Sequence, residues 1–246
     1  MTLNPISDFQ EVNQKTFMFT IATNGYDEIF QDCLDSHKKY ATNQGYKYIP
    51  FTKSPPNGIS GTNSAWLKVA IILRALKKGY ENVFFIDADA FIHEYTPPIE
   101  SVFCSEKYIY MSVESSGNFN SGVIIVINNP QSIKFFEKLL LRADIPNFML
   151  PKSDICLYEN GHVINLAKKS PIVQIISPKW NYNFNTILEE NEKEYICHGR
   201  DTWTKKPRSK EKTLSLFQAL LLRITQGPRY FAIKSSLKFY EHEYQF

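Results

Sequence analysis

The chain reads Asn82-Val-Phe-Phe-Ile-Asp87-Ala-Asp89-Ala-Phe-Ile92, an apolar run that ends on two aspartates one residue apart. The apolar residues read as a buried central strand of an α/β sheet. A strand alternates its side chains, so the pattern predicts Asp87 and Asp89 on one side, with Ala88 facing away. Two carboxylates together at a strand end repel and desolvate each other unless a cation lies between them. Hard divalent ions such as Mg²⁺ or Mn²⁺ take oxygen ligands of this kind, usually beside substrate phosphates. Asp87 and Asp89 are therefore candidate metal ligands.

Hydrophobic spacing predicts the elements that must position this pair. Residues 16–22 form an expected first strand, closed by the turn-prone Thr23, Asn24 and Gly25. Ile29, Phe30, Cys33, Leu34, His37, Tyr40 and Ala41 then recur at helical spacing, with Gly45 as the stop. Residues 46–51 predict a second strand, and Asn63 or Ser64 the cap of a helix from Ala65 to about Lys78. After the aspartate strand come predicted strands at 108–113 and 122–127. Asn120 and Ser121 immediately precede the latter, and Gly122 permits a close backbone approach there. Asn129 and Pro130 open a helix carrying Ile133, Phe136, Leu139 and Leu140. Short strands near 173–176 and 195–197 complete the set, with an apolar helix over 214–224 that either packs on the core or meets a dimer partner or membrane surface.

This order predicts an α/β fold: a Rossmann-like, mixed but mostly parallel sheet flanked by helices, with an irregular C-terminal part. Such sheets bind ligands beyond the carboxyl ends of their strands, at a topological switch point. Asp87 and Asp89 belong to one such end. The turn at Thr23 and Asn24 belongs to another, where its backbone can face a nucleotide.

Composition excludes several classes. The 246 residues are 43% hydrophobic and 22% charged, ordinary for a soluble globular protein. A net charge of +3 is too small to argue for nucleic acid. Positive charge gathers in residues 200–212 around Trp203, a solvated loop or a basic flap that meets an anionic ligand. Cys33, Cys104, Cys156 and Cys197 form no CxxC pair, which points to reduced thiols in the cytoplasm. No signal peptide and no membrane-spanning run is expected.

The first strand, the Ala65-Trp66-Leu67-Lys68 helix, the Phe-Ile-Asp-Ala-Asp strand and Phe119-Asn-Ser-Gly-Val123 together resemble the glycosyltransferases of the GT-A fold. The nearest flavour is the glycogenin-like and galactosyl-, mannosyl- and xylosyltransferase group. The resemblance spans roughly residues 16–200, in short islands. It implies a single GT-A-type catalytic domain over 1–246, with a nucleotide-binding part at about 16–115 and an acceptor side at about 116–246.

The resemblance also implies roles. Asp89 holds Mn²⁺ or Mg²⁺ directly against the diphosphate of a UDP-sugar donor, Asp87 contacts the ion, the ribose or both, and His198, just before Gly199, is the third ligand. Lys68 lies near the diphosphate or donor sugar, with Thr23, Asn24, Ser121 and Gly199 also at the donor. Asn120 contacts the donor sugar or the acceptor. Asp154 matches an acid that opens a helix beneath the sugar, although Ile155 stands where the family commonly has Gln. It either orients the donor sugar or acts as general base on the acceptor hydroxyl. The aromatic and Asn residues of 180–184 lie near the acceptor, where a ring can stack on a sugar.

Two other readings compete. A haloacid-dehalogenase-like phosphatase also carries Asp-x-Asp after an apolar strand, but on its first strand, and here Phe91 replaces the expected Thr or Val. A non-catalytic nucleotide-sugar-binding protein would keep the same fold.

Overall fold

The computed structural model describes residues 15–56, 58–184, 186–199 and 228–246. The expected basic flap at 200–212 and apolar helix at 214–224 lie outside the described residues.

Strand β1 (Thr16–Ile21) leads through α1 (Tyr26–Ile29) and α2 (Gln31–Gln44) to β2 (Lys47–Phe51). Helix α3 (Gly61–Lys77) then returns the chain to β3 (Asn82–Ile86) and the short β4 (Ala90–Ile92). The chain continues through β5 (Ile109–Met111), β6 (Val123–Ile127), α4 (Pro130–Leu140), α5 (Asn160–Ala167), β7 (Val173–Ile175) and β8 (Ile196–His198). Helix α6 (Arg229–Tyr244) follows the undescribed stretch.

Six strands form one sheet in the order β2-β1-β3-β6-β5-β7. Five share a direction, and β6 alone runs against its neighbours β3 and β5. This is the mostly parallel, helix-flanked α/β sheet that the spacing predicts. From β1 the chain moves outward to β2 and then crosses back to β3, so the carboxyl ends of β1 and β3 flank a switch point. Strands β4 and β8 form a separate antiparallel ladder with Ala90 opposite His198.

Side-chain alternation divides the strands between two cores. Phe17, Phe19, Val83 and Phe85 meet α3, α4, α5 and α6 on one face; Met18, Phe84 and Ile86 meet Tyr40, Ile92 and Trp180 on the other. A sheet covered on both faces needs apolar residues at nearly every strand position, as β3 and β6 show. Helix α3 is wedged between the sheet, α4 and α6, which explains its unbroken buried stretch from Trp66 to Leu73.

The helix begins earlier than expected. Ser60, in extended conformation, caps it by accepting the Asn63 N–H at 3.2 Å, so Asn63 and Ser64 lie inside the first turn. A capping side chain satisfies an orphan N–H wherever the helix actually starts, and Ser60 does so upstream. Among the described residues, no helix is long and apolar enough to cross a membrane.

Candidate active site

A cavity of about 510 Å³ opens where β1 and β3 end. Thr23, Asn24, Lys68, Asp87, Asp89, Asn120, Ser121, His198 and Gly199 all line it. Asp154 does not.

The two aspartates converge for a different reason from the one their spacing suggests. Strand β3 ends at Ile86, and both acids lie in the turn that joins it to β4. The Asp87 N–H donates to Gly122 O at 2.8 Å, and the Ala90 N–H returns to Asp87 O at 3.1 Å. The β4–β8 ladder then carries His198 to the same place, and the Gly199 N–H donates to Asp89 O at 3.0 Å. Gly199 has φ 78°, a left-handed conformation that glycine adopts without strain.

His198 Nε2 lies 3.5 Å from Asp87 Oδ2 and 3.4 Å from Asp89 Oδ1. One ligand atom from each of the three residues falls within 4.8 Å of the others. Two oxygens and an imidazole suit a divalent ion such as Mn²⁺. Two ligands each about 2.1 Å from one small ion sit roughly 3.0–3.4 Å apart, so the spacing fits. Burial opposes an imidazolium at His198, but Asp89 and Asp87 outweigh it and raise its pKa. Burial likewise pushes the Asp87 carboxyl up, with Lys68 and His198 pulling it back.

Lys68 is not the exposed helix lysine that its position also permits. It is 4% exposed, donates to Ser121 O at 3.1 Å, and pairs with Glu159 Oε1 at 2.8 Å and Asp87 Oδ1 at 3.6 Å. Burial alone would lower its pKa, but Asp87 and Glu159 reverse the sign and keep the ammonium charged. Ser121 Oγ donates to Glu159 at 2.7 Å, and the Ser121 N–H to Asn160 Oδ1 at 3.1 Å.

Glu159 and Asn160 line the cavity and were not anticipated. An acid followed by an amide at the start of α5 is the pattern sought at Asp154, displaced five residues along the chain. At Asp154 itself only a 3₁₀ turn (Lys152–Asp154) forms, and no helix opens. The Asp154 carboxylate turns toward the far end of α5, accepting from Asn165 at 2.7 Å and Lys168 at 3.0 Å. The Asn165 bond, helped by Lys168 and Ser153, holds its carboxyl below the usual range. The structure thus uses Asp154 to tie a loop to a helix.

Asn120 lines the cavity, but both ends of its amide are engaged. Its Nδ2 donates to Glu114 Oε1 at 2.8 Å, and its Oδ1 accepts from the Gly122 N–H at 2.8 Å and Asn181 Nδ2 at 3.0 Å. Thr23 is nearly buried; Asn24, at φ 61°, donates to Ile59 O and so tethers the loop before α3. In the 180–184 segment, Trp180 is buried in the core against Tyr195, and Phe184, 75% exposed, is the ring at the cavity.

Comparison with known proteins bears on the same stretch. Residues 12–111 match the galactosyl transferase GMA12/MNN10 family. That span carries Thr23, Asn24, Lys68, Asp87 and Asp89, while Asn120, Asp154, Glu159 and His198 lie beyond it. Among solved structures, the chain resembles a glycosyltransferase involved in the glycosylation of the major capsid of PBCV-1. The TM-score is 0.58 at 15% identity, over 74% of this chain and 91% of that one. It also resembles the glycosyltransferase GlyE of Streptococcus pneumoniae TIGR4, with a TM-score of 0.50 at 10% identity, over 92% of this chain and 64% of that one. The fold is GT-A. No curated protein matches the chain.

Proposed function

We propose that the chain moves a sugar from a nucleotide sugar, UDP-linked, to a hydroxyl of a glycan, with Mn²⁺ or Mg²⁺ held by Asp87, Asp89 and His198. The observation that carries this reading is the meeting of those three side chains in the wall of a cavity large enough for a ligand. Charge supports it. Asp87, Asp89, Glu114 and Glu159 face the cavity against Lys68 and His198, so an anionic diphosphate is repelled until a cation intervenes. Such an ion, when bound, neutralises the charge that builds on the leaving diphosphate.

The chain's own residues do the rest. Lys68 remains protonated and holds the Glu159 carboxylate beside Ser121, which gives the donor sugar a fixed acid and hydroxyl to meet. Thr23 and Asn24 present the first turn to the nucleotide, and Phe184 offers an exposed ring to the acceptor. In this reading 1–246 works as one catalytic unit, with the nucleotide part at about 16–115 and the acceptor side at about 116–246. The location proposed for it is the cytoplasm, on the spacing of its cysteines.

Calorimetric titration with UDP, with and without Mn²⁺, is the direct test. UDP is expected to bind only with the metal, and Asp89→Ala to weaken this by more than the roughly 100-fold that an outer-shell change costs. A panel of nucleotide sugars, read by release of UDP or GDP, then identifies the donor. Turnover of p-nitrophenyl phosphate without nucleotide affinity would refute the transferase reading. Nucleotide-sugar binding with no release from any donor would assign the chain to the binding proteins of this fold.

A further inference from the structure

Behind the three proposed metal ligands runs a chain of amides whose orientation can be worked out atom by atom. It begins at two groups with no ambiguity. A carboxylate only accepts hydrogen bonds, and a backbone N–H only donates. Asn120 touches one of each, Glu114 Oε1 at 2.8 Å and the Gly122 N–H at 2.8 Å. Its NH₂ must therefore face Glu114 and its oxygen must face Gly122. That oxygen also lies 3.0 Å from the Asn181 side chain, which must present its own NH₂ there. The remaining end of Asn181 is then its oxygen, and it lies 2.7 Å from His198 Nδ1. An oxygen at that distance needs a proton on Nδ1.

Reversing Asn181 would set its oxygen against the Asn120 oxygen. Reversing Asn120 as well would set donor against donor at Gly122 and acceptor against acceptor at Glu114. Asn181 is 2% exposed, so water cannot relieve the first conflict, and the second sets two mismatched pairs at once.

We infer that Asn181 is a positioning residue: it fixes neutral His198 as the Nδ1–H tautomer and aims an unprotonated Nε2 at Asp87 and Asp89. Nothing in the local sequence marks this role, because Asn120, Asn181 and His198 meet only through the fold. Tyr182 accepts the His198 N–H at 2.6 Å through its carbonyl and donates its own N–H to Ile196 O at 2.9 Å. These backbone bonds hold the segment of Asn181 against β8, so the ring has little freedom to turn away.

The inference deepens the proposed metal site and rests on it for its functional meaning. The geometry of the relay can be tested apart from it. In the full chain without metal, at a pH where His198 is neutral, two-bond ¹H–¹⁵N correlations of its imidazole should show the proton on Nδ1. A proton on Nε2 would overturn the assignment. Mn²⁺ affinity, followed by electron paramagnetic resonance, is expected to fall roughly 10–100-fold in Asn181→Leu, as for other outer-shell partners of a ligating histidine. Asn181→Asp retains an acceptor for Nδ1–H but sets its second oxygen against Asn120 Oδ1, so it should lose clearly less affinity than Asn181→Leu. Unchanged affinity in Asn181→Leu would overturn the role. So would an equal loss in both variants, which would show that the acceptor oxygen is not what matters. If the unaltered chain binds no Mn²⁺, the proposed function fails, and the imidazole spectrum still decides whether Asn181 sets the tautomer.

Discussion

A single missing methyl group makes room for the third proposed ligand. A Cβ on Gly122 would lie 2.1 Å from His198 Cε1 and 2.5 Å from Nδ1, closer than any non-bonded atoms approach. His198 is held by the β4–β8 ladder and by Asn181, so it cannot retreat without cost. Gly122→Ala should therefore displace the imidazole and lower Mn²⁺ affinity at least ~10-fold, with about 1–3 kcal/mol of overpacking on stability. Titration of Mn²⁺ into the variant checks this, and wild-type affinity would show that the ring is not confined. At this scale the sequence was partly legible. Asp87, Asp89, Lys68 and Ser121 stand in short patterns whose chemistry is local. Glu159 escaped because Asp154, also an acid close to a helix, competes for the same pattern, and only the path of the chain shows which carboxylate reaches Lys68. Glu114 carries no local signal at all, and Asn181 was marked only as part of the 180–184 segment expected near the acceptor, not behind His198.

Whole elements position the turn of Asp87 and Asp89, and one buried histidine ties them together. His37 on α2 donates from Nε2 to Ala90 O at 2.6 Å and accepts at Nδ1 from the Tyr48 hydroxyl at 3.2 Å. It thereby joins α2 and β2 to the first residue of β4, next to Asp89. Burial drives its pKa down from 6.5 to about 4, against smaller upward pulls from Ala90 and Asp89. A folded-state pKa below the unfolded value means that the unfolded chain takes up the proton first. The stabilisation is complete above about pH 6.5 and is lost as pH falls toward 4, with a deficit of about 2 kcal/mol by pH 5. Urea midpoints at pH 7.5, 6 and 5 should fall more steeply in the wild type than in His37→Gln; parallel curves would remove His37 as the cause. Strands β1, β3 and β6 were readable from apolar spacing, because a doubly covered sheet leaves long apolar runs in them, whereas the short β4 and α5 were not. The turn carrying the aspartates was not, since alternation continues on paper past the point where the strand stops at Ile86.

Across the whole molecule, the last helix supports strands from the start of the chain. Phe246, just past α6, stacks on Phe17 with ring centroids 5.6 Å apart and meets Phe51 edge-on at 5.1 Å. The Tyr244 hydroxyl accepts the backbone N–H groups of Thr52 and Lys53, each at 2.9 Å. Apolar spacing does not mark 229–244 as a packing helix, because Ile233, Ser236 and Tyr240 make too thin a buried stripe among lysines and glutamates. The helix packs on α3 and, through Tyr240, Tyr244 and Phe246, on strands roughly two hundred residues earlier, which no local window contains. None of these residues lines the cavity beside Asp87 and Asp89. Phe246→Ala should cost about 3–5 kcal/mol of stability through the cavity it leaves. Below the lowered melting temperature, Mn²⁺ and UDP affinities should remain those of the wild type. Gly122→Ala should instead lose metal affinity together with stability. Denaturant midpoints and metal titrations on the two variants test this separation. If Phe246→Ala weakened Mn²⁺ binding as strongly as Gly122→Ala does, the helix would be coupled to the turn of Asp87 and Asp89 through the sheet, and the separation of scaffold from site would be wrong.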